Sequence, residues 1–152
     1  HILYEIDQVR VICRLLDGEF LDWRRVIPQN QPIHLTANVR QLNSCIERMS
    51  LITSEKIKNP VRCRFSLNEA DFQTSAALGM AHDVCQLAGD GAGLEIGFNC
   101  KFLLDALKAI PTTEVSLGLS NGLSPMVMEP CDGSGSYLYM ILPVRLKAED
   151  AE

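Results

Sequence analysis

The sequence predicts an α+β domain in which a β-α-β-β-β unit occurs twice, with antiparallel sheets and both helices on one side. The first observation is a repeat. A short segment that ends in Asn occurs at residues 35–38 and again at 96–99, 61 positions later, and each copy leads into an amphipathic helix. The second is that apolar and polar residues alternate after each helix, as they do in half-buried strands. Repetition at a fixed spacing indicates two copies of one supersecondary unit.

The first 32 residues precede this unit. Residues 2–6 and 9–15 read as a β-hairpin that ends at Asp17-Gly18, and residues 19–32 read as an irregular connector with Pro28 and Pro32. An isolated hairpin is marginally stable in water. We therefore expect the hairpin to be the end of a preceding domain and the chain to be a fragment.

Both predicted helices begin at an asparagine, Asn38 or Asn99, whose side chain can accept a hydrogen bond from a free backbone N–H of the first turn. The apolar residues of each helix recur at i, i+4 and i+7, which places them on one buried face. They are Leu42, Ile46 and Met49 in the first helix, and Leu103, Leu107 and Ile110 in the second.

Three strands are predicted after the first helix. Residues 61–67 alternate cleanly, Asn68-Glu69 reads as a turn into residues 70–77, and a third strand covers 80–87. The Gly-Asp-Gly-Ala-Gly run at 89–93 resembles a phosphate cradle, but no Gly-Lys-Ser/Thr follows it. We interpret it as a loop that joins the two copies.

The second copy repeats this order. Pro111 ends its helix, and strands are predicted at 115–119, 126–128 and 137–142. Turns at Asn121-Gly122 and Asp132-Gly133 separate them.

The last strand is apolar on both faces. Tyr137, Tyr139 and Ile141 alternate with a second apolar set, Leu138, Met140, Leu142 and Val144. Pro143 cannot donate to a sheet ladder, so we expect residues 142–146 at a sheet edge, where a partner covers them.

Composition excludes several classes of protein. The 152 residues are 47% apolar and 22% charged, as in globular proteins, and no apolar run approaches the roughly 20 residues of a membrane span. We therefore expect a cytoplasmic protein that does not enter membranes. The net charge of −5 argues against a grip on nucleic acid by bulk electrostatics, so any DNA contact must be local or topological.

No pattern of catalytic or metal-binding residues emerges. The six cysteines and three histidines lack the close pairs of zinc or redox sites, and most of the cysteines fit as reduced, buried side chains. Glu69, Asp71 and Asp83 could form a metal-binding set for nucleotidyl transfer, or could be solvated acids on strands. We expect no catalysis, no metal and no cofactor.

Four separated motifs resemble the C-terminal part of the bacterial DNA polymerase III beta subunit, the sliding clamp family. They are residues 15–20 (Leu-Leu-Asp-Gly-Glu-Phe), 22–28 (Asp-Trp-Arg-Arg-Val-Ile-Pro), 96–99 (Ile-Gly-Phe-Asn) and 142–146 (Leu-Pro-Val-Arg-Leu). The resemblance covers essentially the whole chain. It implies the end of a middle domain at 1–20, a connector at 21–32, a complete third domain at 33–147 and a polar tail at 148–152.

The resemblance implies that the protein is a processivity factor without catalytic activity of its own. It would be a subunit of a DNA-directed DNA polymerase holoenzyme, which as a whole is a nucleotidyltransferase. Two subunits would form a head-to-tail homodimer ring around duplex DNA. The ring would tether the polymerase III catalytic subunit, other polymerases and the clamp loader through an apolar peptide groove between the middle and third domains.

The resemblance also assigns residues to roles. The groove would be formed by Val26, Asn99, Phe102, Met126, Met140, Leu142, Pro143, Val144 and Arg145. For Met126 and Met140, core packing is the alternative. Arg40, Arg48, Lys101 and Lys108 would face DNA, unless they only cover a solvated helix face. Leu51 and Ile52 would contact the other subunit.

A second hypothesis is a metal-dependent, nucleotide-processing enzyme of α+β class that uses the acidic residues named above. It predicts a nuclease or nucleotidyl transfer activity that is lost in Asp71→Ala.

Overall fold

The structure is a computed structural model that describes residues 1–53, 59–77 and 79–146. Antiparallel strands and helices occur together, which confirms the predicted α+β class. The strands are β1 (Ile2–Ile6), β2 (Val9–Cys13), β3 (Ile33–Asn38), β4 (Val61–Ala76), β5 (Gly79–Phe98), β6 (Glu114–Leu119), β7 (Met126–Pro130) and β8 (Tyr139–Ile141). The helices are α1 (Trp23–Val26), α2 (Val39–Ser50) and α3 (Cys100–Ala109).

The predicted N-terminal hairpin is present as a separate two-stranded sheet. β1 pairs antiparallel with β2 from Ile2 opposite Cys13 to Ile6 opposite Val9. Opposed residues of an antiparallel pair share a face, and one face of this hairpin is entirely apolar and exposed. That face consists of Ile2, Tyr4, Ile6, Val9, Val11 and Cys13.

The remaining strands form one antiparallel sheet in the order β4-β5-β3-β6-β7-β8. β3 lies in the middle because it pairs with β5 on one side and with β6 on the other. The sheet therefore joins the two copies of the repeat, because β3 of the first copy pairs with β6, the strand that follows the helix of the second copy.

Two local predictions were wrong, and both concern β4 and β5. Asn68-Glu69 does not reverse the chain, and residues 89–93 are not a loop, because both segments lie inside long strands. The register shifts on either side of Leu67, and Asn68 and Ala92 have the positive φ angles of 58° and 53°. The turn-forming residues thus produce bulges, which bend a strand without ending it.

A side-chain hydrogen bond joins the two bulged strands. The amide oxygen of Asn68 accepts a bond of 3.2 Å from the backbone N–H of Gly89. Residues 61–67 of β4 then pair with the end of β5, whereas residues 69–76 pair with its beginning. The bent pair of β4 and β5 consequently meets two other segments: residues 87–88 of β5 pair with β3, and Gly97 pairs with Val144.

The chain returns to the far end of β5 after β8. The N–H of Val144 donates a bond of 2.8 Å to the carbonyl oxygen of Gly97. A β-carbon at Gly97 would lie only 2.6 Å from the Val144 carbonyl oxygen. This close approach explains why position 97 is a glycine.

The two long helices begin and pack as predicted. Asn38 caps α2 by accepting from the N–H of Gln41 at 3.1 Å, and Asn99 caps α3 by accepting from the N–H of Lys101 at 2.9 Å. The predicted apolar stripes of both helices are buried in one core with the inner face of the sheet. The thiol of Cys100 also donates to the Ile46 carbonyl oxygen at 3.3 Å, which ties the helices together.

The second copy follows its predicted order. Its three strands are separated near the two predicted turns, although the last strand is shorter than predicted and spans only Tyr139–Ile141. The predicted polar tail at 148–152 lies outside the described residues.

We predict that Gly97→Val destabilises the protein by about 3 kcal/mol, because the added side chain must displace the Val144 backbone. Valine favours strands, so a loss of stability would not come from propensity. Urea denaturation monitored by circular dichroism measures the effect. Gln73→Val, at an exposed position of β4, is the control and should change the free energy of unfolding by less than about 0.5 kcal/mol. Equal stability of the two variants would contradict the close approach.

Candidate partner-binding site

The last strand, β8, has one face toward the helices and one face away from them. Ile141 is buried, and the Tyr139 hydroxyl donates a bond of 3.2 Å to the carbonyl oxygen of Ala109 at the end of α3. Leu138, which precedes the strand, and Met140 point to the opposite, outer face. Both apolar faces predicted from the sequence are therefore present.

The outer face of this segment is only partly covered. Leu142 is 61% exposed and Leu138 is 39% exposed, while Met140, Pro143 and Val144 are half-buried. Arg145 follows as an exposed cation. We call residues 138–145 the terminal strip.

The terminal strip lies beside the first turn of α3. The bond between Val144 and Gly97 brings the strip to the end of β5, two residues before Asn99. Phe102, in the first turn, is 55% exposed. The structure thus brings the end of the strip close in sequence to Asn99, whose side chain is occupied as the helix cap.

Val26 belongs to the connector and is half-buried at the end of α1. Asp22 is the N-cap residue of this short helix, and its carboxylate accepts a hydrogen bond of 3.2 Å from the N–H of Arg24. The connector lies over the outer face of the sheet. The Gln31 side chain of the connector lies against Gly118 of β6. A β-carbon at position 118 would overlap this side chain.

A cleft that the sequence did not indicate opens between the connector and the outer face of the sheet. Trp23, Ile27 and Pro28 form its connector side, and Val127 and Leu138 form part of its sheet side. The period-two alternation places Leu138 on the same face as Met140, so the sequence indicated one residue of the sheet side but not the cleft itself. The contribution of the connector had no such signal.

The structure corrects the interpretation of Met126 as a groove residue. β7 pairs with β8 so that Met126 lies opposite Ile141, and Val127 lies opposite Met140. Since opposed residues share a face, Met126 points into the core, where it is 2% exposed. Of the two methionines, only Met140 is on the outer face.

The four predicted DNA-facing cations occupy different environments. Arg48 pairs with Asp83 of β5, with 2.6 Å between Nε and Oδ2. The Lys108 ammonium lies 4.0 Å from the Glu47 carboxylate on the neighbouring helix. Arg40 and Lys101 are exposed on α2 and α3.

The two predicted subunit-contact residues lie at the end of α2. Leu51 is the C-cap residue of the helix and is 79% exposed, and Ile52 is half-buried. An apolar side chain with this exposure is available to a partner.

The acidic residues considered for catalysis do not converge. Asp71 contacts His82, and Asp83 contacts Arg48. Across residues 1–53, 59–77 and 79–146, no group of three His, Cys, Asp or Glu side chains is arranged to hold a metal ion. The hypothesis of a metal-dependent enzyme has no support in this arrangement.

Four of the six cysteines are buried as reduced thiols, as predicted for most of them. Burial raises the pKa of the Cys45 thiol to about 12 and that of the Cys100 thiol to about 11. Thiols with such pKa values stay protonated near neutral pH and are poor nucleophiles.

No helix among the described residues is long and apolar enough to cross a membrane.

Comparison with known proteins identifies similar chains. Residues 24–145 match the family described as DNA polymerase III beta subunit, C-terminal domain. The beta sliding clamp of Staphylococcus aureus is 31% identical over 146 residues, which are 95% of this chain and 38% of that protein. The Haemophilus influenzae clamp is 32% identical over 136 residues, or 88% of this chain and 36% of that protein.

The fold is likewise similar to solved structures. The DNA polymerase III beta subunit of Thermotoga maritima superposes with a TM-score of 0.82 at 29% identity, over 95% of this chain and 39% of that one. The chain therefore spans somewhat over a third of the length of the relatives it matches.

We predict that the Arg48–Asp83 pair makes stability depend on pH. Burial alone would raise the pKa of Asp83, but hydrogen bonds from Arg48 and from the Val84 N–H outweigh it and hold the pKa below its usual value. A lowered folded-state pKa adds stability above the ordinary carboxyl pKa, and this stability is lost as the pH falls through the folded-state value. Asp83→Asn should therefore lower Tm at pH 7, and the difference from wild type should shrink below about pH 4.

Thermal unfolding between pH 7 and pH 3 measures this difference. Arg48→Gln should show the same dependence, and the double variant should lose less than the two single losses added together, because both remove one interaction. If the difference in Tm between wild type and Asp83→Asn does not change with pH, the Arg48–Asp83 pair is not the cause of that difference.

Proposed function

Because the chain belongs to the DNA polymerase III beta subunit family, whose members include proteins named sliding clamps, we propose that it serves as part of a clamp that tethers replication proteins to DNA. In this proposal residues 33–147 are the third domain, residues 21–32 are the connector, and residues 1–20 are the end of a middle domain. The domain has the α+β clamp fold.

The proposed partner site is an apolar peptide groove. It comprises the connector residue Val26, the first turn of α3 with Asn99 and Phe102, and the outer residues Met140, Leu142, Pro143, Val144 and Arg145. The observation that carries this proposal is the exposed outer face of the terminal strip, because its inner face is already committed to the core. A strip with exposed and half-buried apolar side chains is suited to an apolar peptide.

Methionine and leucine suit a site with several ligands. Met140 has an unbranched, polarizable side chain that adapts to differently shaped partners. Arg145 provides an exposed cation at the end of the strip, where it can pair with an acidic residue or a carboxyl terminus of the peptide. The proposed partners are the polymerase III catalytic subunit, other polymerases and the clamp loader.

The proposed ring is a head-to-tail homodimer around duplex DNA. Leu51 and Ile52 at the end of α2 would contact the other subunit, and the outer surfaces of α2 and α3 would face the DNA. Exposed cations at Arg40 and Lys101 can contact phosphates without reading bases, which suits sliding. Arg48 would contribute less than Arg40, because its guanidinium pairs with the Asp83 carboxylate.

Catalysis is not part of the proposed function. Clamps act by holding a polymerase on its template, so the proposed role requires a closed ring and a docking groove but no reactive side chain. A cytoplasmic location fits a protein that works on bacterial DNA.

The first test of the groove is Leu142→Glu. We expect the affinity for a peptide from the C-terminus of a bacterial replicative polymerase to fall at least tenfold, because about 2 kcal/mol of apolar burial is replaced by a charge that must lose water. Isothermal titration measures the dissociation constant. Leu123→Glu is the matched control, since Leu123 is 70% exposed in a turn and lies outside the proposed groove. Unchanged binding by Leu142→Glu would overturn the groove.

The second test separates the helix cations. We expect Arg40→Gln to weaken binding to a short DNA duplex at low ionic strength and to lower the slope of log affinity against log salt by about 0.9, the value for one phosphate contact. Arg48→Gln should have a smaller effect, since Asp83 already neutralises that guanidinium. Fluorescence anisotropy measures both variants. An equal or larger effect of Arg48→Gln would contradict this assignment.

A further inference from the structure

Two cysteine thiols lie together between α2 and the first half of β5. Cys45 is one of the buried residues of α2 and is 4% exposed. In β5, Cys85 lies opposite Ala70 of β4. Because Ala70 is buried and opposed residues share a face, Cys85 points to the helix side of the sheet, where it is 2% exposed.

Hydrogen bonds hold the two sulfur atoms beside the same stretch of backbone. The Cys45 thiol donates to the Val84 carbonyl oxygen at 3.9 Å, and the Cys85 thiol donates to the Gln86 carbonyl oxygen at 3.6 Å. Burial raises the pKa of the Cys85 thiol, and a hydrogen bond from the Cys45 thiol opposes this rise. The helix and the strand thus bring two thiols into one pair.

An open cavity connects this pair with the solvent. The cavity has a volume of about 410 Å³, and both cysteines line it together with Arg40, Ser44 and Arg48 of α2. The Nη2 atom of Arg48 donates to the Cys45 sulfur at 3.3 Å. The nearby Asp83 carboxylate is bonded to the same guanidinium. The cavity therefore offers two thiols and a cation in contact with one of the sulfur atoms.

We infer that Cys45 and Cys85 form a binding site for a soft monovalent cation of the Cu(I) class. Thiolate sulfur is a ligand that selects Cu(I). Each thiol releases its proton to solvent on binding, because the thiolate is the form that coordinates a metal. Two thiolates and one Cu(I) leave one negative charge, which the Arg48 guanidinium at the Cys45 sulfur neutralises as an outer-shell partner.

The number of ligands separates Cu(I) from Zn²⁺. A structural Zn²⁺ site takes four ligands in a tetrahedron. Within the three described ranges of the chain, no three His, Cys, Asp or Glu side chains are arranged around a common point. Cu(I) accepts two sulfur ligands in a linear arrangement, so a pair of thiols is sufficient for it.

A second thiol pair in the core provides a matched control. Burial raises the pKa of the Cys63 thiol, and the neighbouring Cys100 raises it further. Cys63 is 1% exposed and borders a small internal cavity that is lined entirely by apolar residues and cysteine. An ion would have to lose its water to enter such a cavity. We therefore expect this second pair to bind no cation.

The experiment measures Cu(I) affinity without oxygen, by competition with a chromophoric Cu(I) chelator. The exposed Cys13 and Cys131 are changed to serine in the starting protein, because single exposed thiols also bind Cu(I). Cys45→Ala and Cys85→Ala are then compared with Cys63→Ala in this protein. Circular dichroism shows whether each variant is folded.

We expect the starting protein to bind one Cu(I). Cys45→Ala and Cys85→Ala should each weaken binding at least about hundredfold, because loss of even an outer-shell partner costs about tenfold to hundredfold in metal affinity. Cys63→Ala should keep the affinity. Arg48→Gln should weaken binding about tenfold, and Arg40→Gln, at the rim of the same cavity, should have a smaller effect.

X-ray absorption of the Cu(I)-loaded starting protein tests the same site without further substitutions. We expect two sulfur neighbours and no nitrogen or oxygen neighbour. Three or more sulfur neighbours would contradict the pair. The site is also wrong if folded Cys45→Ala or Cys85→Ala binds Cu(I) as tightly as the starting protein, or if folded Cys63→Ala loses as much affinity as they do.

Discussion

The antiparallel pairing of β7 with β8 controls the surface on which the proposed function depends. Pairing of Met126 with Ile141 directs both side chains into the core, and pairing of Val127 with Met140 directs both outward. Because side chains alternate strictly along a strand, a shift of one residue would exchange the two sets. The hydrogen bond from the Tyr139 hydroxyl to α3 favours one register. An apolar outer face is therefore a consequence of how the inner face packs.

The bulges in β4 and β5 solve a second problem of this fold. β5 pairs with β3 at residues 87–88, in its middle, and with Val144 at Gly97, near its end. The positive φ angles at Asn68 and Ala92 permit the bend, and the bond from the Gly89 N–H to Asn68 holds it. The close approach of Val144 to Gly97 then places the terminal strip beside α3.

The charges on the two long helices are consistent with weak and transient contacts to DNA. The overall charge is negative, and Arg48 and Lys108 lie close to carboxylates within the domain. A clamp must move along DNA, so strong local binding would oppose its movement. In the proposed ring, topology would keep the protein on DNA, so the electrostatic contribution of each helix can remain small.

Periodicity and capping signals in the sequence determined the helices, their buried stripes, the N-terminal hairpin and the two-faced final strand, because each depends on neighbours within a few residues. The tertiary structure alone decided features that depend on pairing between distant segments. Turn-forming residues at 68–69 and 89–93 became bulges because each strand had a partner that continued past them. Met126 points into the core because the pairing of β7 with β8 places it opposite Ile141, and the sequence does not show this pairing. The cleft of Trp23 and Leu138 exists only because the connector folds back over the sheet, and no local pattern records that contact.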